Sequence, residues 1–125
     1  MNALKEIQKL AYEDFAREHI LKDSAERNFQ VTIQAALDIA SLILADQSVD
    51  IPTEYSSLFP KLAEIGAIPA EFAQRLVGLA KFRNVLVHLY MEVDSKRIYA
   101  YIQNNLDDFE LFARYIGEYL AALPE

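Results

Sequence analysis

Residues 83–90 read Arg-Asn-Val-Leu-Val-His-Leu-Tyr, an apolar stretch interrupted by polar groups of complementary chemistry. Arg83 brings a permanent cation with a planar fork of donors. His88 can take or give a proton near neutral pH. Asn84 and Tyr90 add neutral hydrogen-bonding groups. An Arg beside a His, with no metal ligands nearby, is the equipment that phosphodiester cleavage needs. The imidazole moves protons, and the guanidinium stabilises charge on a phosphorane-like transition state.

The octet sits at the end of a helical pattern. With Arg83 as the zero direction and about 100° per residue, Phe82, Leu86 and Leu89 fall at roughly 240–300° and Leu79 and Phe72 at roughly 320–340°. These form the core-facing stripe. Asn84 and His88, one helical turn apart, share a line at roughly 100–140°, and Tyr90 returns close to the line of Arg83. The spacing predicts a polar set that flanks the buried stripe and faces outward, toward water or a second subunit. On spacing alone, a solvated face and a chemical site both remain open. The apolar filling by Val85, Leu86, Val87 and Leu89 is unusual for a solvated face, which more often carries Lys and Glu.

An Arg, four residues, a His, one residue and a Tyr, with Asn directly after the Arg, resembles the signature of the HepT toxins, a branch of the HEPN superfamily of helical ribonucleases. Residues 28–40, Asn-Phe-Gln-Val-Thr-Ile-Gln-Ala-Ala-Leu-Asp-Ile-Ala, resemble that family's second helix. Residues 58–66, Leu-Phe-Pro-Lys-Leu-Ala-Glu-Ile-Gly, resemble the short segment before its motif helix. The resemblance spans the chain in the right order, and Arg83, Asn84, His88 and Tyr90 all carry the motif's residues. It implies a metal-independent endoribonuclease acting as the toxin of a type VII toxin–antitoxin system. It implies a homodimer with two motif helices lining a shared cleft. It further implies a small nucleotidyltransferase antitoxin of the MntA type, which silences the toxin by moving AMP from ATP onto Tyr90.

Composition is consistent with such an enzyme and narrows the alternatives. The chain has 125 residues, 53% of them hydrophobic, enough for one helical domain over 1–125 with a real core. It has no cysteine, which removes disulfides, thiolate metal sites and cysteine nucleophiles together. No run of 18 apolar residues suggests a membrane span, and the opening residues turn amphipathic at once, unlike a secretory leader. A cytoplasmic protein without cofactor, metal or membrane partner is expected. The net charge of −7 disfavours general nucleic-acid binding. Its distribution is uneven: between Arg75 and Arg97 lie five basic and two acidic residues, a local +3 that leaves −10 elsewhere. An acidic body with one basic patch suits a selective RNA enzyme.

The elements that must position the octet are helices. Apolar residues recur at three- and four-residue spacing, and the chain has only three glycines. A first helix is predicted over about 2–20. Asp23-Ser24-Ala25-Glu26 reads as a capping box opening a second helix to about Ala45. Residues 47–53 form the clearest loop. A short helix follows near Tyr55 to Ile65, with Gly66 as its C-terminal cap. Pro69 suits the first turn of the motif helix. Asp94 or Ser95 caps a last helix to about Ala122, which buries Ile98, Ile102, Phe109, Phe112, Ile116 and Leu123. Four long helices and one short one imply an all-α, antiparallel up-and-down four-helix bundle. The second helix carries a polar line of Arg27, Gln34 and Asp38, flanked by Gln30 and Ser41. Asp38 is a candidate to orient His88 or pair with Arg83, or else belongs to a wet face.

Two functions fit. In the first, His88 acts as general base or acid, Arg83 polarises a scissile phosphate, and Asn84 orients the His or touches phosphate. In the second, the chain is a non-catalytic dimeric helical module that a nucleotidyltransferase binds and modifies. RNA cleavage by wild type but not by a His88→Ala variant separates them.

Overall fold

The three- and four-residue apolar spacing becomes helix almost everywhere. A computed structural model of the protein describes residues 2–87 and 95–124. In order, α1 is Asn2–Gln8, α2 Tyr12–Arg17, α3 His19–Asp46, α4 Leu58–Glu64, α5 Ala70–Val87 and α6 Ser95–Ala122, with a 3₁₀ turn at Tyr55–Ser57 before α4. No strand occurs among the described residues. The architecture is the all-α bundle expected, with its first helix broken into α1 and α2. At 28 residues each, α3 and α6 span roughly 42 Å.

α6 runs antiparallel to α5: Phe72 lies 5.2 Å from Tyr115, and Phe82 stacks on Tyr101 at 4.6 Å. It also runs antiparallel to α1, where Lys5 bonds Glu110 at 2.5 Å. That pair draws each group toward its charged form, by hydrogen bond first and charge second. α3 supplies the centre of the core. Its fully buried Phe29 meets Phe82, Tyr101 and Phe109 at 5.8, 5.9 and 5.9 Å. This aromatic cluster joins α3, α5 and α6 one residue from Arg83, which fixes where α5 places its polar side chains. α3 is long and apolar enough by composition to cross a membrane. Its apolar side is the core of the bundle instead, with Phe29, Ile33, Leu37 and Leu44 buried.

Several boundaries differ from the sequence reading, each for a physical reason. The expected helix over 2–20 stops at Gln8 because α6 offers its backbone better partners. Gln103 Nε2 donates to the Gln8 carbonyl at 2.8 Å, Gln8 Nε2 donates to the Ile102 carbonyl at 3.1 Å, and the Tyr99 hydroxyl donates to the Leu10 carbonyl at 2.5 Å. Carbonyls released at a helix end are thereby satisfied. The capping box at Asp23–Glu26 is not a helix start, since α3 already begins at His19. Asp23 instead meets His19 at 3.2 Å, and Ser24 accepts from Asn28 through its carbonyl at 2.8 Å and its hydroxyl at 3.2 Å. Both are one-turn contacts that a continuing helix also satisfies.

Gly66 caps α4 as expected. Its φ is +82°, and Ala67 N–H donates to the Leu62 carbonyl at 2.9 Å while Gly66 N–H donates to that of Ala63 at 3.0 Å. This is the Schellman pattern. The same pattern ends α3 without a glycine: Ser48 takes φ +59°, Val49 N–H donates to Leu44 at 2.9 Å, and Ser48 N–H to Ala45 at 3.1 Å. Pro69 directly precedes α5, and its carbonyl accepts from Ala73 N–H at 3.0 Å. On α6, Ile98, Ile102, Phe109, Phe112 and Ile116 are buried as expected, whereas Leu123 is only half-buried. Asp94 lies outside the described residues; Ser95 opens α6 and shares a hydrogen bond of 2.9 Å with the Tyr12 hydroxyl.

Candidate functional site

Arg83 does not face outward. Phe72, Leu76, Leu79 and Phe82 are buried on α5, and so are Ala73 and Ala80. From the zero direction of Arg83, Leu76 stands at roughly 20°, Ala80 at 60° and Ala73 at 80°. The buried arc is therefore wider than the large apolar residues suggest, and Arg83 lies inside it, against α3 and the 3₁₀ turn.

Three neighbours hold its guanidinium. Nη2 donates to Gln34 Oε1 on α3, and Nη1 donates to Asn84 Oδ1 at 3.4 Å. The guanidinium carbon stands 5.0 Å from the centre of the Tyr55 ring, a cation–π contact. Nε is buried and has no hydrogen-bond partner among the described residues. Gln34 is itself oriented: its Nε2 donates to Asp38 Oδ1 at 2.8 Å, which turns Oε1 toward Arg83. Asp38 thus acts on Arg83 through Gln34 and does not pair with it directly, a correction to the direct pairing considered from sequence. The relay leaves Arg83 facing a neutral acceptor, and among the described residues no carboxylate touches it directly. A guanidinium has five N–H donors; among the described residues Gln34 and Asn84 take one each and the Nε–H is buried, which leaves two on the Nη atoms.

Beside this cluster lies an open cavity of about 450 Å³ lined by Thr53, Glu54, Tyr55, Ser56, Arg83 and Asn84. The structure therefore brings together Arg83, Asn84, Gln34 and Asp38, and adds Tyr55 and Glu54, which sequence reasoning had placed only in a loop or short helix. No local signal marks Tyr55; its role arises from the return of the chain from α3 to α4. His88 and Tyr90 lie outside the described residues, as do Leu89 and the side chains of Val85, Leu86 and Val87. The basic patch is narrower than its composition suggests. Arg75 is engaged by the buried Asp108 of α6, which also accepts from Asn105 Nδ2 at 3.0 Å, and Arg97 lies 4.8 Å over the Phe82 ring.

Comparison with known proteins bears on what this arrangement serves. The family model described as Ribonuclease HepT-like matches residues 1–116. The chain belongs to the HepT-like ribonuclease family. Among curated HepT relatives, it is similar to an mRNA nuclease HepT of Shewanella oneidensis, 32% identical over 87% of this chain and 84% of that protein. It is also similar to a tRNA nuclease HepT of Aphanizomenon flos-aquae, 26% identical over 100% of this chain and 85% of that protein. Two solved HepT-type folds superpose closely. One is a tri-AMPylated Shewanella oneidensis HEPN toxin in complex with MNT antitoxin, with a TM-score of 0.82 and 29% identity over 94% of this chain and 90% of that one. The other is a toxin–antitoxin crystal structure with AMP-PNP, with a TM-score of 0.84 and 28% identity over the same shares.

Proposed function

We propose that this protein is a metal-independent endoribonuclease toxin whose centre combines Arg83 and Asn84 with His88. The observation that carries this reading is the guanidinium of Arg83. It is half-buried, oriented by Gln34, held over the Tyr55 ring, and part of the lining of an open cavity. A cation fixed in that way is suited to a scissile phosphate. In the reaction, the ribose 2′-oxygen attacks phosphorus and its proton passes to a His88 imidazole. The bond from phosphorus to the 5′-oxygen breaks, and that oxygen receives a proton. The products are a 2′,3′-cyclic phosphate and a 5′-hydroxyl. DNA lacks the nucleophile and is not cut.

Two proton transfers are best served by two imidazoles, which a homodimer supplies. On α3, Val31 and Leu42 are 61% and 70% exposed. They lie within roughly 40° of Asp38 around the helix. This uncovered apolar face beside the site supports a second copy packing there. An MntA-type nucleotidyltransferase is the proposed antitoxin. The Tyr90 oxygen attacks the α-phosphorus of ATP, pyrophosphate leaves, and the new phosphodiester anion competes with RNA for Arg83. The cytoplasm holds both RNA and ATP and is the proposed compartment.

The decisive experiment incubates RNA with wild type and with His88→Ala, both with and without a chelator. Cleavage by wild type under both conditions, ending in cyclic phosphate and absent in the variant, is the expected outcome. Equal cleavage by the variant removes His88 from the mechanism. No cleavage by unmodified wild type favours a module that only binds and is modified. Peptide mass spectrometry after incubation with the nucleotidyltransferase and ATP should place the added AMP on Tyr90; an adduct elsewhere refutes that acceptor.

A further inference from the structure

Arg83 and Asn84 line a cavity whose remaining wall is Thr53, Glu54, Tyr55 and Ser56, the segment that leads from the end of α3 into α4. Tyr55 keeps 43% of its surface exposed although Arg83 sits over its ring. A large aromatic left uncovered beside a cation is a poor solution for a core and a good one for a nucleobase. Glu54 is exposed at the same wall. Its carboxylate repels phosphate and accepts hydrogen bonds from the amino and imino groups of a base. The cavity is thus divided by chemistry, with a cationic side for a phosphate and an aromatic, acceptor-bearing side for a base. Its volume of about 450 Å³ falls within the usual range of small-ligand sites.

We infer that Tyr55 and Glu54 form a nucleobase subsite beside the scissile phosphate, in which the base of a flanking nucleotide stacks on Tyr55 while Glu54 selects bases that present an exocyclic amino group. Cytosine, adenine and guanine present that donor, whereas uracil offers only its imino N3–H, set between two carbonyl oxygens that repel the carboxylate. The subsite is a specificity determinant of the proposed ribonuclease and rests on that reading. It joins recognition to chemistry through one side chain, because the ring that receives the base is the ring on which Arg83 lies.

Removing Tyr55 also removes a support of Arg83, so a simple loss of activity decides nothing. A double-mutant cycle between protein and RNA does. The probe is a short single-stranded oligoribonucleotide spanning a mapped cut, with a 2′-deoxy sugar at the cut so that binding is measured without cleavage. A second probe lacks only the flanking base. Wild type should bind the abasic probe about 5- to 150-fold more weakly. Tyr55→Ala should bind the complete probe with a similar loss and show little further loss on the abasic one. Tyr55→Phe, which keeps the ring, should behave as wild type. Losses that multiply independently overturn the subsite, because a role confined to supporting Arg83 does not depend on the base. Placing uracil at the flanking position should weaken binding to wild type and not to Glu54→Gln; indifference of wild type to that base overturns the role of Glu54. Cleavage of the 2′-hydroxyl oligonucleotide by wild type is measured alongside. If it is absent, the ribonuclease reading falls first and the subsite falls with it.

Discussion

Gln34 separates two demands on Arg83 that usually conflict, and substituting it tests whether the separation matters. Gln34 Oε1 accepts from Nη2 of Arg83, and Asp38 fixes the amide at 2.8 Å. Gln34→Leu keeps most of the side-chain volume and removes the acceptor. A hydrogen bond to a charged group contributes about 1.5–3 kcal/mol, and Arg83 already carries a buried Nε with no partner among the described residues. The expected loss is therefore in that range, or roughly 4 °C in melting temperature per kcal/mol for a chain of this size. Gln34→Glu should behave differently. The new carboxylate pairs with Arg83 for roughly 0.2–1 kcal/mol at a partly exposed site. Repulsion from Asp38 one turn away offsets about 0.2–0.5 kcal/mol of it. Stability should stay within about 1 kcal/mol of wild type, yet the paired guanidinium no longer presents its charge to phosphate. Cleavage should fall by about 10- to 100-fold, as when a preorganised donor is lost or displaced. Thermal melting and initial rates of RNA cleavage on the same samples give the comparison. A Gln34→Glu variant that cleaves at the wild-type rate would refute the reasoning, since the neutral acceptor would then be irrelevant to Arg83.

Arg83→Lys should retain the fold and lose most cleavage, because an ammonium cannot reproduce the planar fork held between Gln34 and Tyr55; near-normal rates would show that charge alone suffices. Ser48→Gly should raise the melting temperature, since a side chain at φ +59° carries strain of about 1–2 kcal/mol, which the greater backbone freedom of glycine only partly offsets. No change would mean that Ser48 compensates its own strain. Burial first, and the neighbouring charge of Asp23 second, push the Glu26 carboxyl above its usual 4.5. A folded-state pKa that is raised adds stability below the unfolded value and loses it as pH rises through the folded one. Glu26→Gln should therefore melt higher than wild type near pH 7, with the gain vanishing below about pH 4; a gain that persists in acid would point to packing and not to ionisation.

Residue types were legible in the sequence where their reasons are local. Helical spacing revealed α3, α5 and α6, and Gly66 announced its own positive φ. Ser48 did not, because its left-handed backbone is imposed by the bonds of Val49 and Ser48 to Leu44 and Ala45 and not by the residue itself. The break between α1 and α2 was hidden because its partners, Gln103 and Tyr99, lie about ninety residues further along the chain. The capping box misled because Asp23, Ser24 and Asn28 make one-turn contacts that serve a helix interior equally well. The direction of Arg83 failed for a more useful reason. Large apolar residues alone defined the expected buried stripe, while the small Ala73 and Ala80 are equally buried and widen it. Within that wider arc, a helix shaped only by packing would place Leu or Ile where Arg83 stands. The chain instead places a guanidinium there, supplies Gln34 and Asp38 from α3 to hold it, brings Tyr55 across its face, and leaves its Nε without a partner among the described residues. A departure from core patterning that is so closely supported on three sides is where a chemical role outweighs a packing role. It places the centre of the proposed site at Arg83, on the evidence of the side chains around it as well as the motif that contains it.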